Sequence, residues 1–294
     1  MVNKKEIIVT GGSGFLGSHV SDALTEARYK VFIFDKKKSP WLKESQEMIL
    51  GDILDEKLIQ NTVKNKYAVF HFAALADLDV ALDKPIETIE YNVLGMVKVL
   101  EACRKNNVNR FIFASSVYVN SKEGGFYRCS KLAAEQYIEE YHNRYELNYC
   151  ILRYGSLYGP RSGPDTGLWT MLNHAIKTGE IMYMGHPESL REYIHVDDAA
   201  QASLLALESK FLNQHIIITG QEPMLVLDIL KMIGEILDIK KDIKFKDISY
   251  PGHYIRTPYS YKEKIAKKYI PSMHVDLGQG LLQMIEEIKK TTTD

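Results

Sequence analysis

One stretch near the start of the chain limits the fold more than any other. A short β-rich run, Ile7-Ile8-Val9, passes into Thr10-Gly11-Gly12-Ser13-Gly14-Phe15-Leu16-Gly17 and then into a helical pattern over residues 15–28. Strand, glycine turn and helix in that order open a βαβ unit. Gly11 allows the tight turn, Gly14 lets the backbone approach a pyrophosphate, and Gly17 lets the helix pack close to the sheet. The start of the helix adds N–H groups and positive potential. A glycine-rich turn that holds no ligand is the plainer reading. The strand before it and the helix after it favour a dinucleotide site.

The same rhythm continues. Strand-like runs at Val31–Phe34, Ala68–Phe72, Arg110–Phe113 and Tyr149–Leu152 alternate with helical patterns near 55–64, 85–106 and 127–145. This predicts an α/β fold, a Rossmann-type doubly wound parallel sheet with helices on both faces. Turn residues cluster at Tyr158-Gly159-Pro160-Arg161-Ser162-Gly163-Pro164, which marks a boundary. Residues 1–160 are expected to form the dinucleotide-binding domain, with 194–220 returning to it through a strand at His215–Ile218. Residues 161–193 and 221–294 are expected to form a smaller mixed α/β substrate-binding lobe, with helices at 167–178 and near 277–290. A ligand belongs in the cleft at the carboxyl ends of the strands.

Composition narrows the partners. The formal net charge is -1 over 294 residues, so bulk electrostatics offer nothing to nucleic acid or an anionic membrane. Cys103, Cys129 and Cys150 form neither a disulfide framework nor a metal spacing, so no metal is expected. No signal peptide or long apolar span is visible, and a reducing cytoplasm is the expected location.

Two further features carry chemistry. Asp35 ends the second strand, eighteen residues past Gly17. A carboxylate there accepts from both ribose hydroxyls and repels a 2′-phosphate, which favours NAD over NADP. Lys36, Lys37 and Lys38 follow, and one of them could tolerate a phosphate. Asp52, in Gly51-Asp52-Ile53, could reach the adenine amino group or cap the helix that begins near Asp55. Tyr127 and Lys131 are four residues apart, on one face of a helix, with Ser116 eleven residues before the tyrosine. A phenol has a pKa of ~10, and a nearby cation favours the phenolate. Taken alone these are two polar residues on an amphipathic helix. Beside the glycine turn and Asp35 they read as a hydride-transfer site.

With these residues in order, the chain resembles the extended short-chain dehydrogenases/reductases, and within them the nucleotide-sugar epimerase/dehydratase group of UDP-glucose 4-epimerase-like enzymes. Phe70-His71-Phe72-Ala73-Ala74, Tyr91-Asn92-Val93-Leu94-Gly95, Leu152 to Arg161 and Arg191 to Asp198 extend the resemblance over nearly the whole chain. It implies that Ser116, in preference to Ser115, hydrogen-bonds the sugar hydroxyl, that Tyr127 takes its proton, and that Lys131 holds the nicotinamide ribose and, with the positively charged ring, depresses the tyrosine pKa. It implies NAD contacts from Gly11, Ser13, Gly14, Phe15, Leu16 and Gly17, and from Asp35, Lys36, Asp52 and Ile53 at the adenosine end. Ala73, Ala74, Leu75, Asn92, Tyr127, Lys131 and Tyr154 would line the groove. Asn92 reads either as a brace for the active-site backbone or as an exposed helix polar residue. Arg191 is expected to grip the diphosphate, the plainer reading being a salt bridge to Glu188 or Glu192. Ser156 and Arg256 are further substrate candidates. His195 reads as structural.

The departures matter as much. The family's 4,6-dehydratases carry Asp-Glu directly after the catalytic residue, and its decarboxylases a glutamate two places after it. Here Val117 and Tyr118 stand there, and neither can do that acid–base work at neutral pH. Oxidation at carbon 4 of a nucleotide-diphosphate sugar remains. The expected enzyme is a 4-epimerase. The alternative is a 4-dehydrogenase making a 4-keto hexose or heptose for surface polysaccharide synthesis. A non-catalytic dinucleotide sensor is disfavoured because such sensors commonly lack the tyrosine–lysine pair. The short Gly124-Gly125 loop and Ser156 are expected to open the sugar site to a different or larger sugar. Helices 85–106 and 127–145 carry apolar stripes that in this family build a homodimer, or that simply cover the sheet.

Overall fold

A computed structural model describes residues 4–246, 253–256 and 258. The chain opens with β1 (Glu6–Thr10), α1 (Phe15–Glu26), β2 (Lys30–Asp35) and β3 (Gln46–Leu50). It continues through α2 (Glu56–Val63), β4 (Ala68–His71), α3 (Leu78–Asp83) and α4 (Pro85–Ile89). A π-turn, Glu90–Gly95, leads into α5 (Met96–Lys105) and β5 (Arg110–Ser116). A 3-10 turn, Val117–Asn120, precedes α6 (Gly125–Tyr145), and β6 (Tyr149–Tyr154) follows. Next come β7 (Ser156–Tyr158), α7 (Gly167–Thr178), β8 (Met182–Met184), β9 (Leu190–Arg191), β10 (Tyr193–His195), α8 (Val196–Ser203) and β11 (Gln214–Ile218). The last described elements are β12 (Met224–Leu225), α9 (Val226–Ile236) and β13 (Lys244–Lys246).

The main sheet has seven strands in the order β3-β2-β1-β4-β5-β6-β11, every pair parallel. This is the doubly wound sheet expected from the alternating pattern. Helices cover both faces, so the central strands are apolar on both sides and read as unbroken runs. Successive side chains divide between the two layers. Ile8, Val69, Phe111 and Phe113 join one core with Met96, Leu100 and Ile138 from α5 and α6. Ile7, Val9, Phe70 and Ile112 join the other with Val20 and Leu24 from α1 and Ala199 from α8. Fully burying such a side chain contributes about 1.5–3 kcal/mol. β11 extends the sheet beside β6, where the His215–Ile218 run was expected to return.

A third core lies apart from these two. Met171 and Ala175 of α7 pack with Ile181 and with Val226, Ile229, Leu230 and Ile233 of α9. β8–β13 and β9–β12 are short pairs in the same part of the chain. α3 and α9 are absent from the sequence reading, and the helix expected near 277–290 lies outside the described residues. The pattern at 85–106 is not one α-helix. Its π-turn inserts an extra residue per turn and carries Asn92 inward to 2% exposure. No described helix is long and apolar enough to cross a membrane.

Candidate active site

The glycine turn is shaped by close backbone contacts. Gly11 has φ +74°, and a Cβ there would lie 2.4 Å from the Ala73 amide nitrogen. A Cβ on Gly17 would lie 2.3 Å from the Gly11 carbonyl oxygen, so α1 could not approach the turn. Gly14 is the N-cap of α1; no side chain caps it, and the first turn holds no acid. Among the described residues no anion caps the leading amides of α1, and Phe15, Leu16 and Gly17 line the cavity.

Asp35 stands at the far side of this turn. Its Oδ2 accepts from the Ser13 amide at 3.1 Å and its Oδ1 from the Lys37 amide at 3.1 Å. Ser13 Oγ donates to the Lys37 carbonyl at 2.7 Å, locking turn and strand end together. Lys36 Nζ donates to the Tyr91 hydroxyl at 2.8 Å and lies 3.2 Å from Asp52 Oδ2, which raises its pKa. Its charge is thus matched by Asp52, and the Asp35 carboxylate faces the cavity. Asp52 does not cap the helix. Its Oδ1 accepts from Leu54 N, while Asp55 caps α2 by accepting from Leu58 N.

Ala73, Ala74 and Leu75 line the cavity beyond the turn. Both backbone groups of Leu75 are held by Asn92. The Leu75 amide donates to Oδ1 at 2.7 Å, and Nδ2 donates to the Leu75 carbonyl at 3.0 Å. Nδ2 also donates to Ser130 Oγ on α6 at 3.0 Å. Asn92 is therefore the brace, not an exposed polar residue. Tyr154 lines the cavity as well, with its hydroxyl 2.7 Å from Ser203 Oγ.

Ser116 ends β5, and α6 presents Tyr127 and Lys131 one turn apart to the same cavity. Lys131 Nζ donates to the Ala114 carbonyl at 2.7 Å and sits 5.7 Å from the centre of the Tyr127 ring. Burial pushes Lys131 down to about 7, with the Glu135 charge opposing. Burial also pushes Tyr127 up to about 12, and a hydrogen bond with Ser116 opposes it. In the protein alone burial sets the direction at Tyr127, and the Lys131 ammonium is turned toward the Ala114 carbonyl; the nicotinamide charge that the expectation also invokes acts only with NAD bound. Ser115 also lines the cavity, but its Oγ is committed to buried Glu135, to which it donates.

The far end of the cavity is aromatic. Arg191 is 9% exposed, donates to the Leu190 carbonyl, and lies 4.7 Å over the Tyr254 ring. Among the described residues it pairs with neither Glu188 nor Glu192; Glu192 accepts from Thr219 Oγ1. Ser156 Oγ is 3.2 Å from the Tyr254 hydroxyl. Tyr118 packs on Tyr254 with ring centres 4.8 Å apart, and its hydroxyl lies 3.3 Å from His253 Nδ1. The packing of Tyr118 with His253 and Tyr254 has no signal in the sequence, because 135 residues separate Tyr118 from His253. The Tyr118 ring lies beside the short loop. A Cβ on Gly124 would lie 2.7 Å from the Tyr118 ring, so that ring fills the space. Four of the expected site residues are not on the wall. Ser13, Asp52 and Asn92 act through the contacts above, and Arg256 is exposed while His253 to Ile255 line the cavity. His195 caps α8 by accepting from the Asp197 amide.

One continuous cavity of about 1070 Å³ joins Gly11, Asp35, Ser116, Tyr127, Lys131 and Arg191. Glycine turn, acidic strand end and serine–tyrosine–lysine group define the site class of the short-chain dehydrogenases/reductases. The profile of the NAD dependent epimerase/dehydratase family matches residues 7–219. A UDP-N-acetylglucosamine 4-epimerase from Methanobrevibacter ruminantium, solved with UDP-N-acetylmuramic acid, is 29% identical with a TM-score of 0.78, over 88% of this chain and 90% of that one. A UDP-glucose 4-epimerase from Thermotoga maritima, solved with UDP-glucose, is 28% identical with a TM-score of 0.78, over 98% and 99%. A Methanocaldococcus jannaschii protein provisionally named UDP-glucose 4-epimerase is 29% identical over 96% of this chain and 98% of its own. The chain belongs to the NAD-dependent epimerase/dehydratase family, and its cofactor is NAD. The residues present fit that group: uncapped α1 amides suit a pyrophosphate, and Asp35 suits a ribose diol.

Proposed function

We propose that the protein is a 4-epimerase of nucleotide-diphosphate sugars, using Ser116, Tyr127 and Lys131. The observation that carries this reading is the convergence of these three side chains on the cavity that runs from Asp35 to Arg191. NAD, held by the glycine turn, the α1 amides, Asp35 and Lys131, would supply hydride-transfer chemistry at carbon 4 of the sugar. Tyr127 Oη takes the proton of the carbon 4 hydroxyl and gives it back, while Ser116 Oγ holds that oxygen. Lys131 Nζ holds the nicotinamide ribose, and Arg191 neutralises the diphosphate with a guanidinium. The adjacent positions, Val117 and Tyr118, bring no acid to Ser116; Val117 is buried, and burial holds the Tyr118 phenol far above its usual range. This argues against water elimination. The resemblance to UDP-sugar 4-epimerases over most of both chains supports epimerisation and a uridine nucleotide.

In this reading residues 1–160 and 194–220 hold the cofactor, and 161–193 with 221–294 hold the substrate. The enzyme works in the cytoplasm as a homodimer. Incubation with UDP-, GDP-, dTDP- and CDP-sugars tests the activity. Epimerised sugar without net change in cofactor is expected. A lasting rise in NADH with a 4-keto product would make it a dehydrogenase. Tyr127→Phe should lose at least a thousandfold in turnover while binding NAD as before (roughly the general acid–base contribution). Unchanged turnover in that variant would refute the mechanism.

A further inference from the structure

The chemistry above leaves unused a buried ion pair directly behind it. Tyr127, Lys131 and Glu135 recur every four residues along one face of α6, and all three are at most 9% exposed. Glu135 Oε1 accepts from Ser115 Oγ at 2.5 Å and from Arg153 Nε at 3.0 Å; Oε2 accepts from Arg153 Nη2 at 2.6 Å. Arg153 Nη1 reaches Asn120 Oδ1 at 3.4 Å, at the end of the 3-10 turn after Ser116. Ser115 and Arg153 are register partners on β5 and β6.

We infer that Glu135, paired with Arg153, is a positioning residue that fixes Ser116 against Tyr127 and supplies the anion acting on Lys131. The inference rests on the reading above only for which side chains react. Its geometry is a clamp. Glu135 is anchored on the helix that carries Tyr127 and Lys131. It grips Ser115 just before Ser116, and through Arg153 it reaches Asn120, four residues after. Lys131 adds a third tie to the same strand at Ala114. A buried ion pair contributes little net stability over apolar residues of similar volume, so stability does not account for its place here.

The charges around the two groups are few. Lys131 meets the Ala114 carbonyl and Phe113 ring from β5, the Tyr127 ring and Glu135 charge from α6, and the field of His71 from β4. Glu135 meets Ser115, Arg153 and His215, whose Nδ1 lies 3.7 Å from Oε2 and whose Nε2 is held by Glu139 at 2.9 Å. Glu135 is the carboxylate that opposes the loss of the Lys131 proton.

The test is a lysine ¹³C NMR titration of the full chain, with the Lys131 signal assigned by its loss in Lys131→Arg. Glu135→Gln should move the Lys131 midpoint down by about one pH unit. Glu135→Asp, which keeps the charge, should restore it. Ser115→Ala leaves the ion pair intact and should leave the midpoint unchanged. Its kcat with UDP-glucose should fall ~10–100-fold with KM within about twofold, as expected for misplacement. An unmoved Lys131 midpoint in Glu135→Gln would overturn the electrostatic part. Wild-type kcat in Ser115→Ala would overturn the clamp, and this variant decides it even if Glu135→Gln does not fold. If the unaltered protein turns over no nucleotide sugar, the functional reading fails, while the lysine titration still decides the role of Glu135.

Discussion

At the reacting pair and at His71, burial outweighs the neighbouring charges. Tyr127 and Lys131 are pushed in opposite directions, each toward its neutral form, because both are taken out of water. The spacing of four was legible in the sequence; the depth at which the pair sits was not. His71 is the sharper case. It lies inside the sheet with Nδ1 2.7 Å from Thr10 Oγ1, and burial, then the Lys131 charge, push it down to about 3. A histidine of the unfolded chain titrates near 6.5. Because the folded value is depressed, the stability it contributes is present above pH 6.5 and is lost as the pH falls toward 3. His71→Gln, able to keep a hydrogen bond to Thr10, should therefore lose less stability than the unaltered protein between pH 7 and 4. The difference should be a few kcal/mol, read by urea unfolding at each pH. Equal losses would show that His71 does not govern acid sensitivity.

At the scale of elements, the strand–turn–helix unit was readable because its geometry is local. The positive φ of Gly11 and the approach of Gly14 and Gly17 to the Gly11 carbonyl are demands set within ten residues, although a Cβ on Gly11 would also meet Ala73; the closest approach is at Gly17. Gly17→Ala must push α1 away from the turn. We expect at least a tenfold loss of NAD affinity by calorimetry, with a stability loss of roughly 1–3 kcal/mol as for overpacking. Intact NAD affinity would mean that the turn relaxes without cost to the site. The stretch 85–106 was legible as helical from its periodicity, yet the π-turn within it was not. Its cause is not local: Asn92 is drawn inward to satisfy Leu75 and Ser130, which lie on other elements. Likewise the sequence left Asp52 open as an adenine contact or a helix cap, and only the backbone path placed Leu58 N on Asp55 and Leu54 N on Asp52.

At the scale of the whole molecule, the cavity is assembled from both halves of the chain. Tyr254 packs between Arg191 and Tyr118 and reaches Ser156, so four distant segments build one wall. The surface carries a second large-scale feature. Ile86, Ile89 and Leu94 along 85–106 and Tyr137 and Tyr145 on α6 are exposed, Ile86 at 81%. Exposed apolar side chains in number on neighbouring elements suit an interface between copies. If the proposed homodimer forms through this surface, we expect the unaltered protein to sediment as a dimer and the double variant Ile86→Asp with Ile89→Asp as a monomer. A monomeric unaltered protein would end the proposal.

The amino-acid order by itself determined the parallel sheet, the NAD site and the order of Ser116, Tyr127 and Lys131, because each rests on periodicity or on spacing within one or two elements. Only the tertiary structure decided the protonation balance of the pair, the filling of the Gly124-Gly125 corner by Tyr118, the bracing by Asn92, and the clamp of Glu135 on Ser115 and Arg153. The reason is physical. Desolvation and close packing depend on what the rest of the chain brings to a point in space, and no local pattern records that.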